Sequence, residues 1–257
     1  MLEWIDIHTH LNMLDIDPEL AISHAKAQGV NRMITIGTCL EDFPKVLKLC
    51  KDFKPEVYGT LGVHPHDAKD YTPEAEAFIL ANLSDERIVA VGEIGLDFYY
   101  NHSEHEQQMV SFQRQLEIAF EYGLPVEIHT RDAEKETIEI LAEFGGKIRG
   151  VIHCFTGSQT LAEEALKLGL DISVSGVVTF KKAEELRKTI SSVPLDRLHV
   201  ETDAPFLAPM PHRGKKNQPS FVVHTAEKVA ELKGVSLEKL SLQCRENCCG
   251  LFEKLSV

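Results

Sequence analysis

The chain has 257 residues, 43% hydrophobic and 26% charged, with 27 basic against 40 acidic side chains and a formal net charge of −13. That composition excludes a disordered chain, and the acidic balance argues against a protein that coats duplex DNA through a broad basic surface. A local anion site stays open, because bound cations set the potential around themselves whatever the global sum.

Apolar, β-branched runs alternate with stretches of helical period. A first strand is expected over 3–7, then a helix opened by Asp17-Pro18-Glu19 and closed by Gly29. Strands follow near 32–37 and 56–63, then a helix after Thr72-Pro73-Glu74 and an apolar strand at 88–92. Ser103 and Glu106 have capping-box spacing ahead of the longest helix, 107–122, which Gly123 closes. Strands at 125–129 and 149–153 flank a helix that Asp132 is placed to cap, and Gly169 stops the helix before a strand at 171–175. The eighth strand is expected at 197–202, and a further helix near 237–253. Eight strand–helix units without a linker predict an α/β fold, a single (β/α)8 TIM-type barrel domain over 1–257 with an extra C-terminal helix.

No run of 18 apolar residues occurs and no basic-then-apolar leader opens the chain, so a cytoplasmic protein without a membrane partner, and a monomer, is expected. Cys39, Cys50, Cys154, Cys244, Cys248 and Cys249 form no CxxC pair and are expected to be reduced and mostly buried.

Metal-type ligands stand where the apolar runs stop: His8 and His10 after the first strand, Glu93 after the fourth, His129 and His153 after the fifth and sixth, and Asp203 after the eighth. Each alone has an ordinary reading as a rim or solvated polar residue. Together they converge only if the strand ends share one rim, as the C-terminal face of a parallel barrel provides. The i, i+2 spacing of His8 and His10 sends both imidazoles to one side, and Glu93, with two oxygens, is a natural bridge between two cations. Glu201 shares the alternation of Asp203 one layer deeper, where it can support a ligand histidine.

The segments HTHLN, GVHPHD, GEIGLDFYY, IHTRDA, IHCFTGS, ETDAPFLAP and PHRGKKNQP resemble, in order and spacing, the TatD family of metal-dependent deoxyribonucleases among the amidohydrolase-like barrels. The resemblance implies that His8, His10, Glu93 and Asp203 hold one metal and Glu93, His129 and His153 the other. It also implies hydrolysis of DNA, often from a 3′ end, with single strands or 3′ ends as the substrate. Two divalent ions, Mg, Mn, Zn or Ni, are the expected cofactors. Asp203 and Glu93 are the expected catalytic carboxylates, with attack by a metal-bound hydroxide whose proton Asp203 accepts. His64 resembles a substrate-phosphate ligand or proton donor of the family.

For substrate, Arg131 lies two residues beyond His129 on the same side, and Arg213 and Lys215 sit in a loop with no acidic residue from Ala204 to Ala226. This basic lip suits an anion. Phe98, Tyr99 and Tyr100 offer either base-stacking rings or lid packing. His24, His102, His105, His199 and His224 are read as structural or exposed. Two other classes stay open: a small-molecule amidohydrolase or lactonase using the same binuclear site, and a non-catalytic metal- or nucleic-acid-binding module.

Overall fold

The structure, a computed structural model, describes residues 2–256. Eight strands, β1 (Trp4–Thr9), β2 (Val30–Ile36), β3 (Val57–Leu61), β4 (Ile88–Asp97), β5 (Val126–Arg131), β6 (Gly150–Ile152), β7 (Asp171–Val174) and β8 (Leu198–Val200), form one parallel sheet in sequential order. A helix follows each: α1 (Pro18–Ala27), α2 (Phe43–Asp52), α3 (Pro73–Asn82), α4 (His105–Tyr122), α5 (Glu134–Glu143), α6 (Gln159–Lys167), α7 (Glu184–Ser192) and α8 (Val222–Lys233), with α9 (Leu237–Leu251) last. Sequential parallel pairing through helical crossovers curls the sheet into the predicted barrel. The seam between β8 and β1 is stitched by Asp203 N–H to His8 O at 2.9 Å and His10 N–H to Ala204 O at 2.7 Å. Below them, the buried Asp6 carboxylate accepts the Thr202 N–H and hydroxyl at 2.8 and 2.5 Å.

Alternation along the strands divides the interior from the helix-facing layer. Met33, Val57 and Leu61 pack outward with Val46 and Ile79 of the helices. Ile34, Ile36, Tyr58, Val89 and Val151 form a second cluster, with Leu251 and Phe252 at the end of α9. The barrel floor is therefore largely apolar, apart from the buried His199–Asp171 pair, and most of the polar side chains gather toward the mouth.

Four local expectations are corrected. β4 does not stop at Gly92 but runs on to Asp97, so Glu93 sits within the strand rather than beyond it. Gly95 permits this: its φ is +139°, and a Cβ there would lie 2.0 Å from the His129 carbonyl oxygen, closer than any side chain tolerates. Ser103 is not the cap of α4; its hydroxyl donates to His66 O and accepts from Lys69 N–H, while Glu104 stands at the helix entrance, its N–H bonded to Gln107 Oε1 at 3.1 Å. Asp132, exposed and at φ +52°, makes no cap for α5, which starts after Ala133. The caps at Asp17 and Thr72 form as expected, accepting from Glu19 and Ala75 N–H. β8 is shorter than expected, because Asp203 turns into the left-handed region at φ +56°. All six cysteines are free, with Cys50, Cys244 and Cys248 buried and the other three partly exposed. Among the described residues no helix is long and apolar enough to cross a membrane.

Candidate metal centre at the mouth of the barrel

The six sequence-predicted ligands meet at the C-terminal mouth. Glu93 lies at the middle and faces two ways: Oε2 is 3.5 Å from His8 Nε2, while Oε1 is 2.7 Å from His153 Nε2 and 3.1 Å from His129 Nδ1. On the first side, Asp203 Oδ1 is 3.4 Å from His10 Nε2 and 3.9 Å from His8 Nε2. The His8 and His153 rings stack between the two sides at 3.8 Å.

Behind three of the histidines stands a buried carboxylate, and sequence reasoning anticipated only Glu201. Glu127 meets His8 Nδ1 at 2.5 Å, Asp97 meets His129 Nε2 at 3.2 Å, and Glu201 lies 3.4 Å from His153 Nδ1 while accepting the Cys154 N–H at 2.7 Å. The signal for Glu127 was present: it precedes His129 by two residues in an otherwise apolar strand, the spacing that was read for Glu201 and Asp203. Glu127 and Asp97 each hydrogen-bond the far nitrogen of their histidine, and Glu201 lies beside His153 Nδ1, so that the other nitrogen of each ring faces Glu93.

This arrangement fits divalent cations. His8 Nε2 is fully buried and has no hydrogen-bond partner, although it looks onto two carboxylates; an unpartnered buried nitrogen in that setting suits a cation. His8, His10 and Asp203 form one compact donor group, and Glu93 and His129 belong to another with His64. His64 differs in tautomer. Its Nδ1 accepts the His66 N–H at 3.1 Å, so the neutral ring carries its proton on Nε2, 3.3 Å from Glu93 Oε1, and is a donor there rather than a ligand.

The electrostatics follow from crowding. Burial disfavours the Glu93 carboxylate, yet His153, His64 and His129 outweigh it and hold its pKa well below the usual range. Burial and the His8 charge press against a protonated His153, but Glu93 and Glu201 hold its pKa at about 10. Burial likewise opposes a charged His8, and Glu127 with Glu93 overcomes it, leaving the pKa well above 6.5. Burial lowers His64 to about 4, keeping it neutral. The metal-free pocket therefore favours protons on the nitrogens that a cation would take. Loading the chelated protein with Mn²⁺ or Zn²⁺ at pH 7.5 is expected to release at least one proton per chain. Calorimetry in buffers of different ionisation enthalpy reads this directly, and a heat independent of buffer contradicts it.

The family described as TatD related DNase matches residues 5–253. The chain belongs to this family. Among TatD-family relatives, the uncharacterized metal-dependent hydrolase YabD of Bacillus subtilis is 39% identical over 250 residues, covering 96% of this chain and 98% of that one. The 3′-5′ ssDNA/RNA exonuclease TatD of Erwinia amylovora is 35% identical over 242 residues, covering 92% of this chain and 93% of that one. The crystal structure of YJJV, the TatD homolog of Escherichia coli K12, superposes with a TM-score of 0.92 at 30% identity, over 97% of this chain and 98% of that one. The protein is thus a TatD-family metal-dependent hydrolase built on a barrel.

The TatD-family mouth is rimmed differently from the sequence expectation. Arg131 does not reach down to the cation pocket; its guanidinium lies over the rings of Tyr99 and Tyr100, at 4.0 and 4.7 Å. Arg213 lies over Phe180 at 4.3 Å, and Lys215 is exposed. Among the described residues none of these three forms an ion pair, whereas Lys216 pairs with Asp15 at 3.3 Å. His66 and His102 join the rim: His66 Nε2 meets Asp97 at 2.9 Å, and His102 packs edge-on to His66 and parallel to Tyr100. His105 stacks on Phe98 at 3.7 Å, so Phe98 is the ring that serves as packing. His199 lies at the floor, bonded to Asp171 at 2.8 Å.

Proposed function

We propose that the protein is a nuclease that hydrolyses phosphodiester bonds of single-stranded DNA from its 3′ end, with two divalent cations that Glu93 would help to hold. The observation that carries this reading is a fully buried His8 Nε2 without a partner, lying beneath a rim whose Arg131, Arg213 and Lys215 lack carboxylate partners. Cations are drawn below and a phosphate above. His8, His10, Glu93 and Asp203 would hold one ion, and Glu93, His129 and His153 the other. When bound, such ions acidify a water and take up charge on the phosphoryl oxygens.

The chain's own groups supply the rest. Asp203, whose side chain is 12% exposed where that of Glu93 is 4%, is the carboxylate open to the mouth and orients the attacking water and takes its proton. His64 presents its Nε2–H to a non-bridging or leaving oxygen, a donor fixed by the His66 N–H on its other nitrogen. Glu127, Asp97 and Glu201 hold three imidazoles in one orientation, so that little reorganisation accompanies the reaction.

Digestion of 3′- and 5′-labelled single- and double-stranded oligonucleotides, with and without chelator, tests this. Stepwise shortening of the single strand from its 3′ end, stopped by EDTA and restored by Mn²⁺ or Mg²⁺, is expected. Turnover of simple lactones or amides with no nucleotide release would instead favour the small-molecule reading.

A further inference from the structure

Among the described residues eleven large apolar side chains are exposed, and seven of them lie in connections or first helical turns beyond the C-terminal ends of the strands. The mouth is therefore lined with apolar faces as well as cations, a combination suited to planar bases strung on a charged backbone. The aromatic members are grouped. Tyr99 and Tyr100, 55% and 50% exposed, extend from β4, while Phe206, 51% exposed, stands in the connection after β8. β4 and β8 are four strands apart in an eight-stranded barrel, hence on opposite sides of the mouth.

Both groups are anchored to the cation pocket. Asp97, which holds His129, also accepts the N–H groups of Tyr99 and Tyr100, each at 2.9 Å. The two rings stand perpendicular to one another, 4.9 Å apart, and the Arg131 guanidinium of β5 lies 4.0 and 4.7 Å from their centres, giving a cationic aromatic corner whose planar groups stack well on bases. Opposite, the Phe206 ring meets His10 edge-on at 5.9 Å. Asn217 fixes that connection, its side-chain amide donating to the carbonyls of Thr202 and Phe206 at 2.8 and 2.6 Å.

We infer that the rim carries two base-stacking stations facing each other across the cation pocket, Tyr99–Tyr100–Arg131 on one side and Phe206 on the other. The inference rests on the nuclease reading and deepens it. A phosphate over the pocket then has one unpaired base stacked on each side, which a base locked in a duplex cannot supply. Cations that can follow a longer backbone, Arg213 and Lys215, lie in the connection that carries Phe206. The strand therefore leads away over Phe206, and the nucleotide to be released sits on Tyr99–Tyr100–Arg131.

The test measures kcat/KM on labelled single strands from a dinucleotide to a twenty-mer, each with a normal or an abasic 3′-terminal nucleotide. Tyr99→Ala/Tyr100→Ala is expected to lose about tenfold to a hundredfold at every length, the scale of one base–aromatic stack. Tyr99→Phe/Tyr100→Phe restores most of it. On abasic ends the wild type loses a similar factor and the alanine variant loses little more. Arg213→Ala/Lys215→Ala is expected to lose more on the twenty-mer than on the dinucleotide, with a shallower salt dependence. An alanine variant slowed equally on normal and abasic ends, or a loss at Arg213 and Lys215 independent of length, overturns the stations while leaving the nuclease reading standing. A wild type that cleaves no strand overturns both.

Discussion

Glu93→Gln is expected to lower kcat/KM by about a thousandfold or more, equivalent to ~4 kcal/mol of transition-state stabilisation. The substitution keeps the shape of the side chain and removes its charge. In the wild type that charge is shared among four imidazoles, with His153 at 2.7 Å, His129 at 3.1 Å, His64 at 3.3 Å and His8 at 3.5 Å. An amide offers one weaker oxygen and turns an NH₂ group toward nitrogens that are themselves lone-pair donors. Both donor groups are weakened at once, because each loses the same bridging atom pair. Elemental analysis after gel filtration is expected to find fewer than two cations per chain, alongside near-native far-UV circular dichroism. A variant that retains two equivalents and stays within tenfold of wild-type turnover contradicts the bridging role.

The barrel was legible because every level of the sequence agrees on it. β-branched runs, proline at first-turn positions in Pro18 and Pro73, and glycine at helix ends in Gly29, Gly123 and Gly169 all mark the same alternation. Reading failed where a local rule competed with a tertiary one. The strand expected over 88–92 runs on to Asp97 because two glycines let it approach β5: a Cβ on Gly92 would come within 2.8 Å of the Glu127 Cβ, and one on Gly95 would strike the His129 carbonyl. Glycine is there for close approach rather than for a turn. Ser103 has the right spacing for a capping box, but its hydroxyl is taken by the long-range bridge to His66 and Lys69.

At the site, the candidate ligands stood in the sequence as single residues at strand ends, and the barrel brings their side chains to one mouth. Which nitrogen of each histidine faces inward was not readable, because it depends on partners from other strands, Glu127 of β5 for His8 and Asp97 of β4 for His129. The tautomer of His64 depends instead on a local partner, the His66 N–H, which only the backbone path after β3 brings to its Nδ1. Arg131 shows the limit of alternation: it points to the mouth as expected, but the two tyrosines after β4 capture its guanidinium at the rim.

Asp203→Asn is expected to reduce kcat by roughly a hundredfold to ten-thousandfold, the range for loss of a positioned proton acceptor, with a much smaller change in KM. Asparagine is the apt replacement on two grounds. Asp203 sits in the left-handed region at φ +56°, where asparagine is tolerated almost as well, so the seam hydrogen bond to His8 O survives. The amide also preserves one oxygen beside His10 Nε2 at 3.4 Å. What it loses is basicity: burial alone would favour a protonated acid, but His10, His8 and His153 keep Asp203 ionised and able to take a proton across the neutral range. Because the pKa is depressed, its contribution to activity is present above the ordinary carboxylate range and is lost only as pH falls through the lower value. The variant should therefore keep bound cations at the Glu93 side while losing turnover at all pH values. Metal content near that of the wild type together with a kcat within tenfold would remove Asp203 from the proton path.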